Sequence, residues 1–268
     1  MKNFTVLSKW ILLMFITAIG LASCLDTEER IELNADQSGT YTIKIEMGKM
    51  FDMLNALAKS SDSSVANKPK EKKDTSFLLK NMLDQLSLSQ EEKAIFSSME
   101  VKWEMDEAVN LMNLTMRCPF THISQLPYLR EHIFAVFKKV NQQGMKDDEE
   151  GNGQEMNDAM SDEIKKYSSP TGDKFRFEAK SGEISNTVIN LAEFRQLVQL
   201  DSTLVELKKS VSSMGDMHYS TVFVLPNAAQ FIEGPGKTIS EDKRTVGFRY
   251  TFTDIMEKPE TISYKVKY

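Results

Sequence analysis

Cysteine and histidine are scarce in this chain of 268 residues, which contains two cysteines and three histidines. Zinc sites draw on closely spaced pairs of such ligands. His122, His132 and His218 form no pair of this kind, and Cys118 with His122 forms one C-x-x-x-H pair without a second. The sequence therefore predicts no metal site, and it predicts structural positions for the histidines.

The chain also lacks the short motifs of common active sites, such as a G-x-S-x-G elbow or S-x-x-K with its companion motifs. Residues 234–238 (GPGKT) end like a phosphate-binding loop, but the motif needs a glycine where the chain has Phe231. The four acids at 147–150 are contiguous, whereas a calcium loop alternates ligands with spacers. The sequence thus predicts no catalytic residue and no cofactor. An enzyme whose carboxylates pair only in space is kept as the third hypothesis.

No apolar run is long enough to span a bilayer. The longest, at residues 10–21 (WILLMFITAIGL), has 12 residues, whereas a spanning helix needs roughly 18 to 20. It follows a start that carries Lys2 and Lys9 and no acid. A positive start followed by an apolar run of this length is typical of a secretion signal, which we expect to comprise residues 1–23.

The run ends in Leu21-Ala22-Ser23-Cys24, which resembles the lipobox of bacterial lipoproteins. The resemblance implies that the Cys24 thiol receives a diacylglyceryl group, that the signal is cleaved just before Cys24, and that the new amino group is acylated. Three acyl chains would hold the protein on a membrane that it does not span, because each buried methylene contributes about 0.8 kcal/mol. The lipobox, a turn at residues 36–39 and the terminal strands together resemble lipoproteins of Gram-negative bacteria.

The net negative charge of the chain argues against nucleic acid as a binding partner. The chain has 33 basic and 39 acidic residues, and loss of Lys2 and Lys9 leaves 31 basic residues and a net charge of −8. An acidic protein repels phosphate backbones. Asp26, Glu28 and Glu29 precede the first basic residue, and acids here bear on sorting in some Gram-negative lipoproteins. We expect residues 24–29 to form a lipidated tether and the protein to lie in the cell envelope, in the outer membrane rather than the inner.

Cys118 is the only thiol that remains once Cys24 carries lipid, which excludes an intramolecular disulfide. Alternation within a strand-like stretch places Cys118 on the same face as Met112, Leu114 and Met116. We therefore expect a buried, unreactive side chain rather than a reactive thiol.

Hydrophobic spacing alternates between the two-residue period of strands and the helical period. Residues 30–268 are expected to form one domain of the α+β class, with a largely antiparallel sheet built from hairpin–helix units and helices packed on one face. Strands are predicted at 30–34, 40–47, 101–105, 109–118, 174–179, 183–188, 218–225, 245–253 and 261–268, helices at 49–59, 76–86, 89–99, 126–141 and 191–214, and loops at 59–75 and 142–161.

The first functional hypothesis is a non-enzymatic envelope lipoprotein that binds another protein or assembles at the membrane. The second is a carrier of an apolar, lipid-like ligand. It is suggested by the 16 methionines, since methionine fills irregular cores and also lines adaptable apolar pockets. Core filling is favoured over a pocket. The sequence leaves the oligomeric state open.

Overall fold

The computed structural model describes residues 26–48, 72–83, 86, 88–144, 175–200, 205, 208 and 215–268. Cys24, the predicted signal, the predicted helix at 49–59 and the acids at 147–150 lie outside these residues. The described strands are β1 (Asp26–Leu33), β2 (Gly39–Glu46), β3 (Lys72–Leu78), β4 (Glu100–Asp106), β5 (Leu111–Phe120), β6 (Phe175–Lys180), β7 (Glu183–Val188), β8 (His218–Val224), β9 (Phe231–Glu233), β10 (Lys237–Ile239), β11 (Thr245–Thr251) and β12 (Tyr264–Lys267). The described α-helices are α1 (Gln90–Phe96), α2 (Leu126–Gly144), α3 (Leu191–Leu200) and α4 (Phe252–Glu257).

The strands form two sheets, and the predicted α+β class is confirmed. An eight-stranded sheet has the order β10-β11-β8-β1-β2-β5-β4-β3, and a four-stranded sheet has the order β6-β7-β12-β9. All described pairs are antiparallel except β1 with β8, which is parallel. The hairpins β1–β2, β4–β5 and β6–β7 agree with the predicted hairpins.

The eight-stranded sheet has one buried face, because its central strands alternate in burial. Every second residue of β1 is buried, starting at Thr27, and β2 and β5 follow the same rule. This inner face lies against α2, whose buried residues include Leu126, Leu129 and Ile133. Tyr264 of β12 belongs to the same core. The second sheet and α2 therefore close the inner face, and the opposite, outer face is polar.

The turn at residues 234–236 links β9 of the smaller sheet to β10 of the larger one. Gly236 has a φ of 60°, and a Cβ there would lie 2.2 Å from the backbone oxygen of Arg249. At Gly234 a Cβ would lie 2.7 Å from the Phe248 ring. The segment that ends like a phosphate-binding loop is therefore a tight turn between strands, as the Gly-Pro pattern indicates.

Several predicted boundaries were wrong. Residues 26–29 of the predicted tether at 24–29 belong to β1, which begins at Asp26. Residues 72–75 belong to β3 rather than to a loop, and the predicted helix at 76–86 starts as the end of β3 followed by a 3-10 helix, Leu79–Asn81. Helix α2 continues to Gly144 beyond its predicted end at 141. The remaining residues of the two predicted loops, 59–71 and 145–161, lie outside the described residues.

Two strand ends also differ from expectation. The strand predicted at 109–118 was expected to end before Pro119, yet β5 continues to Phe120, with Pro119 opposite Thr40. The pairing with β4 reaches only Arg117, so β5 has a single neighbour at Pro119 and needs no N–H on the other side. The strand predicted at 245–253 ends at Thr251, whose side chain caps α4.

Candidate functional site

The core contains one buried ion pair that joins strand β1 to helix α2. Arg130 Nε donates to Glu29 Oε1 at 2.6 Å, and Arg130 Nη2 donates to Glu29 Oε2 at 2.9 Å. The residues are 2% and 9% exposed. Two parallel bonds between a planar guanidinium and a carboxylate form the strongest common type of charged contact.

Glu29 also accepts hydrogen bonds from the two strands that flank β1. The Tyr41 hydroxyl of β2 donates to Oε1 at 2.7 Å, and Thr221 Oγ1 of β8 donates to Oε2 at 3.2 Å. The carboxylate is therefore surrounded by donors from three sides. A buried charge is tolerated in a core when it is paired and hydrogen-bonded in this way.

Arg130 extends the network into the four-stranded sheet. Its Nη1 donates to Asn186 Oδ1 of β7 at 3.0 Å, and the Asn186 amide donates to the Ile262 carbonyl at 2.8 Å. The guanidinium carbon lies 4.5 Å from the centre of the Phe177 ring of β6, within cation–π range. One side chain thus connects α2 to both sheets.

The electrostatics keep these groups in one protonation state. Burial raises the pKa of the Tyr41 hydroxyl far above its usual value, and the Glu29 carboxylate raises it further. Burial acts to lower the pKa of Arg130, but the Glu29 carboxylate together with Tyr264 and Tyr41 outweighs this effect, and the pKa is raised. Burial likewise raises the pKa of Tyr250 to about 12. The shifted pKa values keep these three groups in one protonation state near neutral pH, and such a cluster is suited to holding the fold together.

A small cavity adjoins the ion pair. Its volume is about 20 Å³, and its lining includes Glu29, Arg130, Thr27 and Tyr219. The hydroxyls of Thr27 and Tyr219 are buried and have no hydrogen-bond partner among the described residues. A volume of this size corresponds to about one water molecule.

The sequence analysis missed both members of the pair, although each carries a signal. Glu29 was assigned to the tether, but it alternates with Ile31 and Leu33, which mark the buried face of β1. Arg130 was not singled out, although it lies four positions after Leu126 and three before Ile133 on the apolar stripe of α2. A charge on the apolar face of each element would have indicated a buried pair.

A second, larger cavity lies on the outer face of the sheet, at the end where β1 begins. Its volume is about 310 Å³. In contrast to the core, its lining is rich in charged side chains from β11, β1 and β2, and the adjacent β8 contributes His218, Tyr219 and Ser220. The charged lining residues are Asp26, Glu28, Lys44, Glu46 and Arg249.

The only predicted modification site, Cys24, lies outside the described residues. The chain leaves it and enters β1 two residues later, at Asp26. Cys118 is a free, fully buried thiol, as predicted. Burial raises its pKa to about 12.

The histidines lie in separate parts of the fold. His122 Nδ1 lies 2.8 Å from Ser124 Oγ, His132 Nδ1 lies 2.9 Å from the Tyr128 carbonyl oxygen, and His218 Nδ1 lies 3.2 Å from Asp26 Oδ1. Across the described ranges, His, Cys, Asp and Glu side chains form no group of three or more that could hold a metal ion.

Four of the methionines that suggested an apolar pocket occupy core positions. Met47, Met99 and Met116 are fully buried, and Met112 is 9% exposed. All four belong to the main hydrophobic cluster. Met50 and Met53 lie outside the described residues. The described positions agree with methionine as a filler of an irregular core.

Fold and site together define an α+β protein with two sheets joined through a buried arginine–glutamate pair. No protein-family model matches the chain, and no curated protein matches it. Among solved structures, it is similar to the folded domain of LppM from Mycobacterium tuberculosis, determined by NMR. That likeness covers 92% of this chain and 91% of the other, with 8% identity and a TM-score of 0.35.

No helix in the described part of the chain has the length and apolar character needed to cross a membrane.

Proposed function

We propose that the protein is a lipid-anchored component of the cell envelope that acts by binding or assembling with another protein, without catalysis. The observation that carries this proposal is the lipobox-like sequence at residues 21–24, directly before the first strand. A lipid on Cys24 would hold the protein to a membrane with a two-residue connection to Asp26.

This short connection would keep the first strand near the membrane. An extended chain covers at most about 3.3–3.6 Å per residue. The start of β1 would therefore lie within roughly 7 Å of the lipid-bearing residue. A body held this closely would keep one end of the eight-stranded sheet, and the outer-face cavity at that end, against the bilayer surface.

The position of β1 within the fold suits an anchored strand. It pairs with β2 on one side and β8 on the other, and its Glu29 is tied to Arg130 of α2. A force on the lipid anchor would therefore be transmitted through β1 to the centre of the core. We infer a rigid body presented at the membrane, which fits a binding or assembly role.

Lipidation is tested by replacing Cys24. In cells fed a radiolabelled fatty acid, the unaltered protein and a Cys118→Ser control should both incorporate label and sediment with membranes, because the control removes the other cysteine. The Cys24→Ser variant should incorporate none and keep its signal. Labelled Cys24→Ser protein with normal maturation would overturn the proposal. Density separation of inner and outer membranes tests the proposed outer-membrane location.

The interaction role is tested by crosslinking in intact cells. A photo-reactive residue at outer-face positions such as Thr115 or Arg117 should give an adduct of defined mass with the anchored protein. The same residue at a buried position such as Cys118 serves as the matched control and should give none. If no outer-face position gives an adduct, the interaction role is wrong while the anchoring result stands.

A further inference from the structure

The outer-face cavity holds two oppositely charged side chains for which the described part of the chain supplies no side-chain partner. Neither Arg249 of β11 nor Glu28 of β1 makes a side-chain hydrogen bond or ion pair among the described residues. Other charges around the cavity are engaged, since Lys44 pairs with Glu46 and His218 lies 3.2 Å from Asp26. The cavity therefore offers one cation and one anion that no side chain within the described ranges neutralises.

The sheet register places these two residues on one row. Arg249 lies opposite Ser220, and Ser220 lies opposite Glu28. Neighbouring strands are about 4.8 Å apart, so the backbones of Arg249 and Glu28 are separated by roughly 10 Å. The side chain between them is the short hydroxyl of Ser220, which leaves space above the sheet and forms part of the cavity lining.

We propose that this cavity binds a small zwitterion, a molecule that carries an ammonium group a few bonds from a phosphate or carboxylate. The anionic end would bind the Arg249 guanidinium, which matches phosphate and carboxylate geometry, and would accept a hydrogen bond from Ser220. The ammonium would lie against Glu28. The volume of about 310 Å³ falls at the lower end of small-molecule sites, at about 300–1,000 Å³.

The charge balance of the lining favours a zwitterion over a simple ion. Three carboxylates, Asp26, Glu28 and Glu46, face two permanent cations, Lys44 and Arg249. A free anion would be attracted by Arg249 but repelled by the nearby carboxylates. A free cation would be attracted by the carboxylates but repelled by Arg249. A ligand with both charges complements both sides, so each half alone should bind more weakly.

The test is calorimetric titration of the full chain in an uncharged detergent with phosphoethanolamine, ethanolamine and inorganic phosphate. We expect saturable binding of phosphoethanolamine, and binding at least about tenfold weaker for either half, since a charged hydrogen bond is lost. The proposal would be overturned if phosphoethanolamine gave no saturable heat of binding. It would also be overturned if ethanolamine or inorganic phosphate alone bound as tightly as phosphoethanolamine.

Two variants locate the binding to this cavity. Arg249→Gln and Glu28→Gln should each weaken phosphoethanolamine binding by about tenfold, because each removes one charged contact. The matched controls are Arg176→Gln on β6 and Glu233→Gln on β9, which change exposed charges on the other sheet and should leave binding unchanged. The assignment would be refuted if the control variants weakened phosphoethanolamine binding as much as the cavity variants do. It would also be refuted if the cavity variants left binding unchanged.

A final arm separates a membrane headgroup from a free molecule as the source of the zwitterion. The titration is repeated in micelles doped with phosphatidylethanolamine or, at the same mole fraction, phosphatidylglycerol. Competition by the first lipid alone assigns the site to a headgroup, and no competition by either assigns it to a soluble zwitterion. Equal competition by both lipids would contradict zwitterion selectivity. Because the titration does not depend on lipid at Cys24, it can fail while the proposed anchoring stands.

Discussion

Glu29 and Arg130 lie 101 positions apart in the sequence and form two hydrogen bonds in the core, at 2.6 and 2.9 Å. The pair joins the first described strand to the longest described helix, and through Asn186 it reaches the second sheet. A contact that ties three parts of the fold together should dominate the response of stability to mutation.

Removing one partner of this pair should destabilise the protein strongly. Arg130→Met leaves the Glu29 carboxylate buried without its cation, and the expected loss in the free energy of unfolding is about 3–5 kcal/mol. Urea denaturation measures it. The control Arg195→Met removes an exposed contact to Glu260 and should cost no more than about 1 kcal/mol. A second change, Glu29→Leu, should recover part of the loss. A double variant less stable than Arg130→Met alone would contradict this account.

The thiol of Cys118 should be protected until the protein unfolds. Burial raises its pKa to about 12, so at pH 8 only about one thiol in ten thousand is ionised. In a Cys24→Ser background, alkylation followed by mass spectrometry should show labelling in denaturant and almost none in the native state. The control adds Arg117→Cys, an exposed neighbour on the same strand, which should label quickly. Comparable native labelling of both thiols would show that Cys118 is accessible.

The start of α1 should make stability depend on pH in the acid range. The backbone N–H of Ser89 donates to Glu92, and with further bonds to the Ser89 and Lys139 side chains it lowers the pKa of that carboxyl below 4.5. Because the folded-state pKa is the lower one, the ionised carboxylate stabilises the fold. The stabilising contribution of the ionised Glu92 carboxylate is complete at pH values above the pKa of Glu92 in the unfolded state. It is lost as the pH falls through the pKa of Glu92 in the folded state.

This contribution is measured by urea denaturation between pH 3 and pH 7. Glu92→Gln should lower stability at pH 7 and should converge with the unaltered protein in acid. Ser89→Ala should cost about 1 kcal/mol, because it removes the cap of the helix. Parallel pH profiles for the unaltered protein and Glu92→Gln would rule out this role of Glu92.

Substitution of the inter-sheet turn should strain the fold. Gly236→Ala introduces a Cβ at a φ of 60°, 2.2 Å from the Arg249 carbonyl oxygen, and the backbone conformation alone costs about 1–2 kcal/mol. The matched control is Gly182→Ala, whose φ is 76° and whose nearest contact would be an ordinary 3.4 Å. Thermal unfolding should show a larger loss for Gly236→Ala than for the control. Equal losses would mean that the close contact relaxes without cost.

Much of the local structure could be predicted because it depends on neighbours in the chain. Alternation identified the hairpins and the buried side of Cys118, and the helix predicted at 89–99 does begin there, with a capping box between Ser89 and Glu92. The predicted boundaries were wrong where pairing with a distant strand determines whether a residue belongs to a strand. Residues 72–75, rich in lysine, look like a loop but pair with β4, and Pro119 stays in a strand because only one neighbour reaches it.

The sequence by itself determined the class of the fold, the scarcity of metal ligands and the pattern that predicts a lipid on Cys24. Only the tertiary structure decided that β1 lies parallel to β8, that Glu29 belongs to the core, and that Arg249 and Glu28 share one cavity. Periodicity and capping are local and can be read along the chain. Which strands become neighbours, and which buried charge meets its counterion, depends on how distant segments close the core together, and no local pattern contains that information.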